Sequence, residues 1–141
     1  MGKKRIVKNN GGEEGAAKAA APASKKKLDA AILHVQSTYN NTKLILTDMK
    51  GNAVAWSSSG SLGFKGAKKG TPFAAAKVGE ILADKAIAMG VKEISVVVKG
   101  VGSGRESSIR SFVTKGVGLL SIKDTTPVPH NGVKPKKPRR V

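Results

Sequence analysis

The chain has no cysteine, which excludes disulfides, thiolate zinc sites and cysteine nucleophiles. Histidine is almost as scarce: two in 141 residues leave little for a metal cage of any other kind. Acidic residues number only 9 against 26 lysines and arginines, so the formal net charge is +17. That surplus opposes self-association and draws polyanions, with nucleic acid first among them. No apolar run approaches a membrane span, and the Lys-rich N-terminus lacks an apolar signal-type segment. A reduced, cytoplasmic, soluble protein without membrane contact is expected. Aromatic residues are few, five in all (Tyr39, Trp56, Phe64, Phe73, Phe112), and three fall at positions expected to face a core. A reader of single strands needs a platform of exposed rings, which this count disfavours.

The charge that is present lies mostly at the ends. Residues 1–27 hold eight bases and two acids, and residues 125–141 hold five bases and no acid. The N-terminal stretch is rich in Ala and Gly with no amphipathic period, so it is expected to be disordered alone. The C-terminal tail, TTPVPHNGVKPKKPRRV, carries four prolines and suits neither a helix nor an interior strand. Residues 28–124 remain as a single domain between two basic extensions.

Within that domain the pattern is legible. Ala31 to Ser37 alternates, with Leu33 and Val35 on one face and Ile32, His34 and Gln36 on the other, which predicts a strand. Tyr39-Asn40-Asn41-Thr42 reads as a turn, since Asn tolerates positive φ and bonds its own backbone. A second strand follows from Thr42 to Asp48, then a turn at Lys50-Gly51-Asn52 and a third strand from Ala53 to Ser58. After the loop SSSGSLGFKGAKKG, Thr71 offers an N-cap and Pro72 suits the first helical position. The helix runs to Met89, with Ala74, Val78, Ile81, Leu82, Ala86 and Met89 on one face and Gly90 as its stop. Glu93 to Lys99 is a β-branched run fit for a buried central strand. A glycine loop leads into a second helix with Ile109, Phe112 and Val113 on one face, and Leu119 to Asp124 forms the fifth strand. The order βββαβαβ predicts an α/β fold, a mixed five-stranded sheet with helices packed on it.

Three segments bear on chemistry. The loop Gly100-Val101-Gly102-Ser103-Gly104-Arg105-Glu106 lies between strand and helix, where open amides and the helix dipole favour an anion. It is neither a Walker loop nor a dinucleotide fingerprint, because Arg105 stands where the last glycine is required. Ser103 and Glu106 fit a capping box. Arg105, a planar fork at a helix start, suits a phosphate diester together with Gly102 and Gly104. The second segment, residues 57–70, carries Lys65, Lys68 and Lys69 with no acid, and is longer than most connections. Phe64 either pins it to the domain or stacks on a base, the first being favoured. The third is the tail. Catalysis finds no constellation: Asp48 and Asp124 sit at strand ends, Asp29, Glu80, Asp84 and Glu93 look like surface or helix-pair charges, and His34 has no recognisable partner. A nuclease relative and a DNA-compacting protein are the alternative readings; the scattered carboxylates oppose the first. The second helix also lacks the Arg, Asn and Gln row of a base-reading helix.

The stretches VKGVGSGRESSIR, DTTPVPHNGVKPKKPRRV, YNNTKLILTDMKGNAVAWSSSG and GFKGAKKGTPFAAAK closely resemble the universal small-subunit ribosomal protein eleven family in its bacterial form. The resemblance runs colinearly over residues 31–141. It implies a ribonuclease-H-like α/β fold without the nuclease carboxylates, and a non-enzymatic, cofactor-free constituent of the small subunit. It also implies a place on the platform, bridging 16S rRNA helices and lining the cleft that holds the Shine–Dalgarno duplex of the mRNA. The partners implied are small-subunit proteins seven and eighteen, with initiation factor three nearby. Carried over by position, the RNA-facing residues are Asn40 and Asn41; Lys65, Lys68 and Lys69; Gly102, Gly104, Arg105 and Arg110; and His130, Asn131, Lys134, Lys136, Lys137, Arg139 and Arg140. The sequence departs from the family pattern at Val101 and Ser103, where prolines are usual, at Thr125, where an apolar residue is usual, at Val133, where bacterial members carry Cys, and in the Pro and Lys order of its last eight residues.

Overall fold

A computed structural model of the chain describes residues 27–140; the expected N-terminal extension lies outside the described residues except for Lys27. Strands β1 (Ala30–Ser37), β2 (Thr42–Thr47) and β3 (Ala53–Ser58) form an antiparallel meander. A short 3-10 turn (Gly66–Gly70) precedes helix α1 (Pro72–Ala88), and β4 (Glu93–Lys99), α2 (Arg105–Thr114) and β5 (Gly118–Asp124) follow. The sheet order is β3-β2-β1-β4-β5, with β4 parallel to both β1 and β5. This is the mixed five-stranded α/β fold expected, with each element within a residue or so of its predicted bounds.

Both helices lie on one face of the sheet. Leu33 and Val35 of β1, Leu44 and Leu46 of β2, and Ile94, Val96 and Val98 of β4 supply the sheet side of the core. Val78, Leu82 and Ala86 of α1 and Phe112 of α2 close it. Phe112 is fully buried, and truncating such a ring costs about 3–5 kcal/mol. α1 begins as its sequence predicts, with Pro72 at its start and the Thr71 hydroxyl accepting from the Ala74 N–H at 3.4 Å. Its buried arc also takes in Ala75, Gly79 and Ala83, with Ala75 against Gly104 at the α2 N-cap and Gly79 against Ser108 and Ser111 of α2. Ile81 falls outside that arc and is 37 % exposed, a correction to the expected core face. The reason is that α1 meets two neighbours, the sheet and α2, so the centre of its buried surface is rotated away from Ile81. At the helix crossing, a Cβ on Gly79 would collide with the Ser108 carbonyl and the Ser111 hydroxyl, so only glycine permits this approach.

Among the described residues, the opposite face of the sheet carries no helix. β4 is therefore buried on one side only, with Ser95 and Val97 half-exposed on the other. His34 lies on this open face and has a partner the sequence did not reveal: its Nε2 is 3.2 Å from Thr47 Oγ1 on the adjacent strand. The aromatic residues correct another expectation. Phe112 is buried, but Tyr39, Trp56 and Phe73 are largely exposed, and Phe64 meets Phe73 edge to face at 6.2 Å, which pins the lysine loop to the start of α1.

Candidate nucleic-acid interface

Four connections converge on one rim of the sheet. β1, β3, β4 and β5 run towards it and β2 starts from it, so the β1–β2 turn, the lysine loop, the glycine loop and the root of the tail all lie there. Both helices also begin at this end, which turns their partial positive charge towards it.

Hydrogen bonds lock these connections to one another. Thr38 N–H donates to the Asn41 carbonyl at 2.8 Å, which closes the turn and leaves Asn40 exposed. Ser59 Oγ accepts from Thr42 N–H at 3.1 Å, donates to the Lys69 carbonyl at 2.8 Å and lies 2.7 Å from Asn41 Oδ1. The β1–β2 turn and the lysine loop thus share one buried hydroxyl. The glycine loop is tied down by Gly102 N–H, which donates to the Ser37 carbonyl at 3.0 Å. Gly100 has φ +106°, and a Cβ there would strike the same carbonyl, so this position admits only glycine.

Ser103 does not cap α2. Its hydroxyl donates to the Gly70 carbonyl at 2.6 Å, and the helix starts from Gly104 with no side-chain cap. The expected capping box fails because the lysine loop takes the hydroxyl and the helix starts one residue later than expected, which puts Glu106 out of register. Among the described residues, the first-turn amides of α2 consequently receive no side-chain acceptor.

Arg105 joins the glycine loop to the tail. Its guanidinium donates to the Gly100 carbonyl, to Asp124 Oδ2 at 2.7 Å and to Thr126 Oγ1 at 3.4 Å. Thr126 in turn donates to Asp124 Oδ1, from its hydroxyl at 2.6 Å and from its N–H at 2.9 Å. These hydrogen bonds from Thr126 and from Arg105 hold the Asp124 carboxyl well below the usual carboxylate range. Lys65 and Lys68 project outward, Lys69 is half-exposed, and none of the three enters an ion pair among the described residues. The rim can therefore neutralise phosphates while its backbone stays fixed.

The sequence profile of the family described as Ribosomal protein S11 matches residues 31–140. The chain belongs to the ribosomal protein S11 family. It is thus a structural constituent of the small ribosomal subunit that binds rRNA.

For this S11 protein the structure brings together Asn40, Asn41, Lys65, Lys68, Lys69, Gly102, Gly104 and Arg105. Arg110 is set apart, in the groove between the helices with Ala76, Glu80 and Lys115. His130, Asn131, Lys134, Lys136, Lys137, Arg139 and Arg140 lie on an exposed arm without helix or strand, on which Asn131 has φ +55°. Two rim residues escaped the sequence reading. Tyr39 is 78 % exposed in the turn that Asn40 and Asn41 already marked, so its place there was the available signal. Thr126 had none, since its role depends on meeting Gly100 and Arg105. The carboxylates that a nuclease would gather are engaged separately: Asp48 accepts from Lys50 and Asn52, Asp84 pairs with Lys115, Glu80 with Lys77, and Asp124 with Arg105.

Proposed function

We propose that this S11 protein binds 16S rRNA on the platform of the small subunit, bridges rRNA helices there, and forms part of the Shine–Dalgarno cleft. The observation that carries the reading is the convergence of the Asn turn, the lysine loop and the glycine loop with the root of a basic arm on one rim. A rigid rim beside a long arm suits bridging: the rim takes one rRNA segment, and the arm reaches another. Lys65, Lys68, Lys69 and the tail bases neutralise phosphates, while exposed Asn40 bonds phosphate or ribose oxygens; Gly102 and Gly104 are buried, with the Gly102 N–H already given to the Ser37 carbonyl, and they serve to place Arg105. Arg105 belongs to the same surface, because its bonds within the protein leave part of its donor fork free. Small-subunit proteins seven and eighteen and initiation factor three are its proposed neighbours, and the mRNA duplex its proposed view across the cleft.

Hydroxyl-radical footprinting of the chain on 16S rRNA tests this. Protection is expected on platform helices and should be lost there when Lys65 and Lys68 are both replaced by Gln. Protection confined to another part of the rRNA, or unchanged in that variant, would overturn the assignment.

A further inference from the structure

Among the described residues, the free edge of β3 is unguarded. Strands at sheet edges are usually blunted by lysine, proline or a covering segment, because their outward N–H and C=O groups invite another chain. β3 reads AVAWSS, without a charge or a proline, and a bulge at Val54 disturbs only its first residues. The ladder fixes which groups point outward. Ser59 N–H donates to the Thr42 carbonyl, so Ser57 and Ala55 pair inward with β2 while Ser58 and Trp56 turn their backbone groups out. Ser58 is satisfied locally: its N–H donates to Ser61 Oγ at 3.0 Å and its carbonyl accepts from Leu62 N–H at 3.2 Å. Two residues earlier, the outward N–H and C=O of Trp56 meet no partner among the described residues.

Beside this edge runs a groove between β3 and α1. Leu62 and Ile81 give it an apolar wall, and exposed Lys85 lies one turn beyond Ile81. Lys85 enters no ion pair among the described residues. Its charge decides the occupant. The chain's own extensions are basic and would be repelled, as would a second copy carrying +17. RNA offers no row of backbone amides to match an open strand, and the groove's walls are mainly apolar. Geometry specifies the pattern further: Ile81 and Lys85 are about 6 Å apart along the helix axis, close to the spacing of alternate residues on a strand.

We infer that the β3 edge binds an extended segment of a neighbouring ribosomal protein as a sixth strand, with an apolar and an acidic residue two apart facing Leu62–Ile81 and Lys85. This site rests on the family's place among other ribosomal proteins; it borders the start of the lysine loop through Ser61 and Leu62 and lies at the opposite sheet edge from the root of the tail. The incoming backbone would pair with Trp56, and its alternate side chains would lie beside the Trp56 ring, which is 60 % exposed.

The test uses the chain assembled into small subunits with the photo-crosslinking residue benzoylphenylalanine in place of Ile81, and repeated in place of Lys85. The expected adduct is a polypeptide segment carrying the apolar and acidic pair. The Trp56 amide should exchange at least about tenfold more slowly in subunits than in the free chain. Lys85→Glu should lower the adduct yield at position 81 about fivefold or more. An adduct on rRNA, no adduct, or unchanged Trp56 exchange would overturn the inference. Binding of the free chain to a 16S fragment is measured in parallel: normal fragment binding without a peptide adduct sinks the β3 site alone, and a peptide adduct without fragment binding sinks the RNA reading alone.

Discussion

Arg105 was legible as a fixed guanidinium at a helix start, but its partners were not. With Asp124 and Thr126 it holds the tail root to the glycine loop, so Arg105→Lys should cost stability as well as rRNA affinity. A lysine cannot reach the Gly100 carbonyl and Asp124 in one planar fork. A melting temperature lowered by a few degrees is the expected outcome, and an unchanged one would show the clamp to be idle. The pH dependence follows from Asp124. Its carboxyl is depressed in the folded state, so its contribution is complete above the unfolded value near 3.9 and vanishes as pH falls through the folded value. The difference in melting temperature between wild type and Asp124→Asn should therefore be flat from pH 8 to about 5 and shrink only below about 4. Ser103 offers a second check at this scale. Ser103→Ala removes a bond to the Gly70 carbonyl, so amide exchange should quicken in the lysine loop and stay unchanged in the first turn of α2. The reverse pattern would restore the capping role.

Among the elements, α1 and α2 depend on a glycine. Gly79→Ala would ordinarily stabilise a helix by about 1 kcal/mol. Here the added methyl meets the Ser108 carbonyl across the crossing, and overpacking of this kind costs about 1–3 kcal/mol. Net destabilisation is expected in chemical denaturation. Ser111→Ala in the same background should not restore stability, because the obstructing carbonyl is backbone. The periodic apolar positions located α1 correctly but put Ile81 in the core, since a hydrophobic pattern records one face and α1 has two neighbours. The same effect separates β5 from the other strands: all seven of its residues are exposed, because neither helix reaches over it.

For the molecule as a whole, charge and fold are separable. Residues 127–140 make no hydrogen bond to the domain among the described residues, so their deletion should leave the melting temperature unchanged. The same deletion should flatten the salt dependence of rRNA binding by several log units per log unit, at about 0.7–0.9 for each phosphate the arm no longer neutralises. An unchanged slope would show that the arm does not meet phosphate. In the free protein the strands should resist amide exchange, while Lys134 to Arg140 gain protection only on RNA.

What the sequence by itself determined was local. Alternation located β1 and β2, the Asn40-Asn41 pair and Gly51 marked the turns, Thr71-Pro72 opened α1, and composition assigned a polyanionic partner. Each of these depends on residues within a few positions of one another or on a count over the whole chain. The tertiary structure alone decided which distant groups meet: Ser103 with Gly70, Ser59 with Lys69, Arg105 with Asp124, His34 with Thr47. It also decided that Tyr39, Trp56 and Phe73 stay outside. A hydroxyl, a guanidinium or a ring states what it can bond or bury, but the sheet order fixes which partner comes within hydrogen-bond reach and which face the described residues leave without a cover.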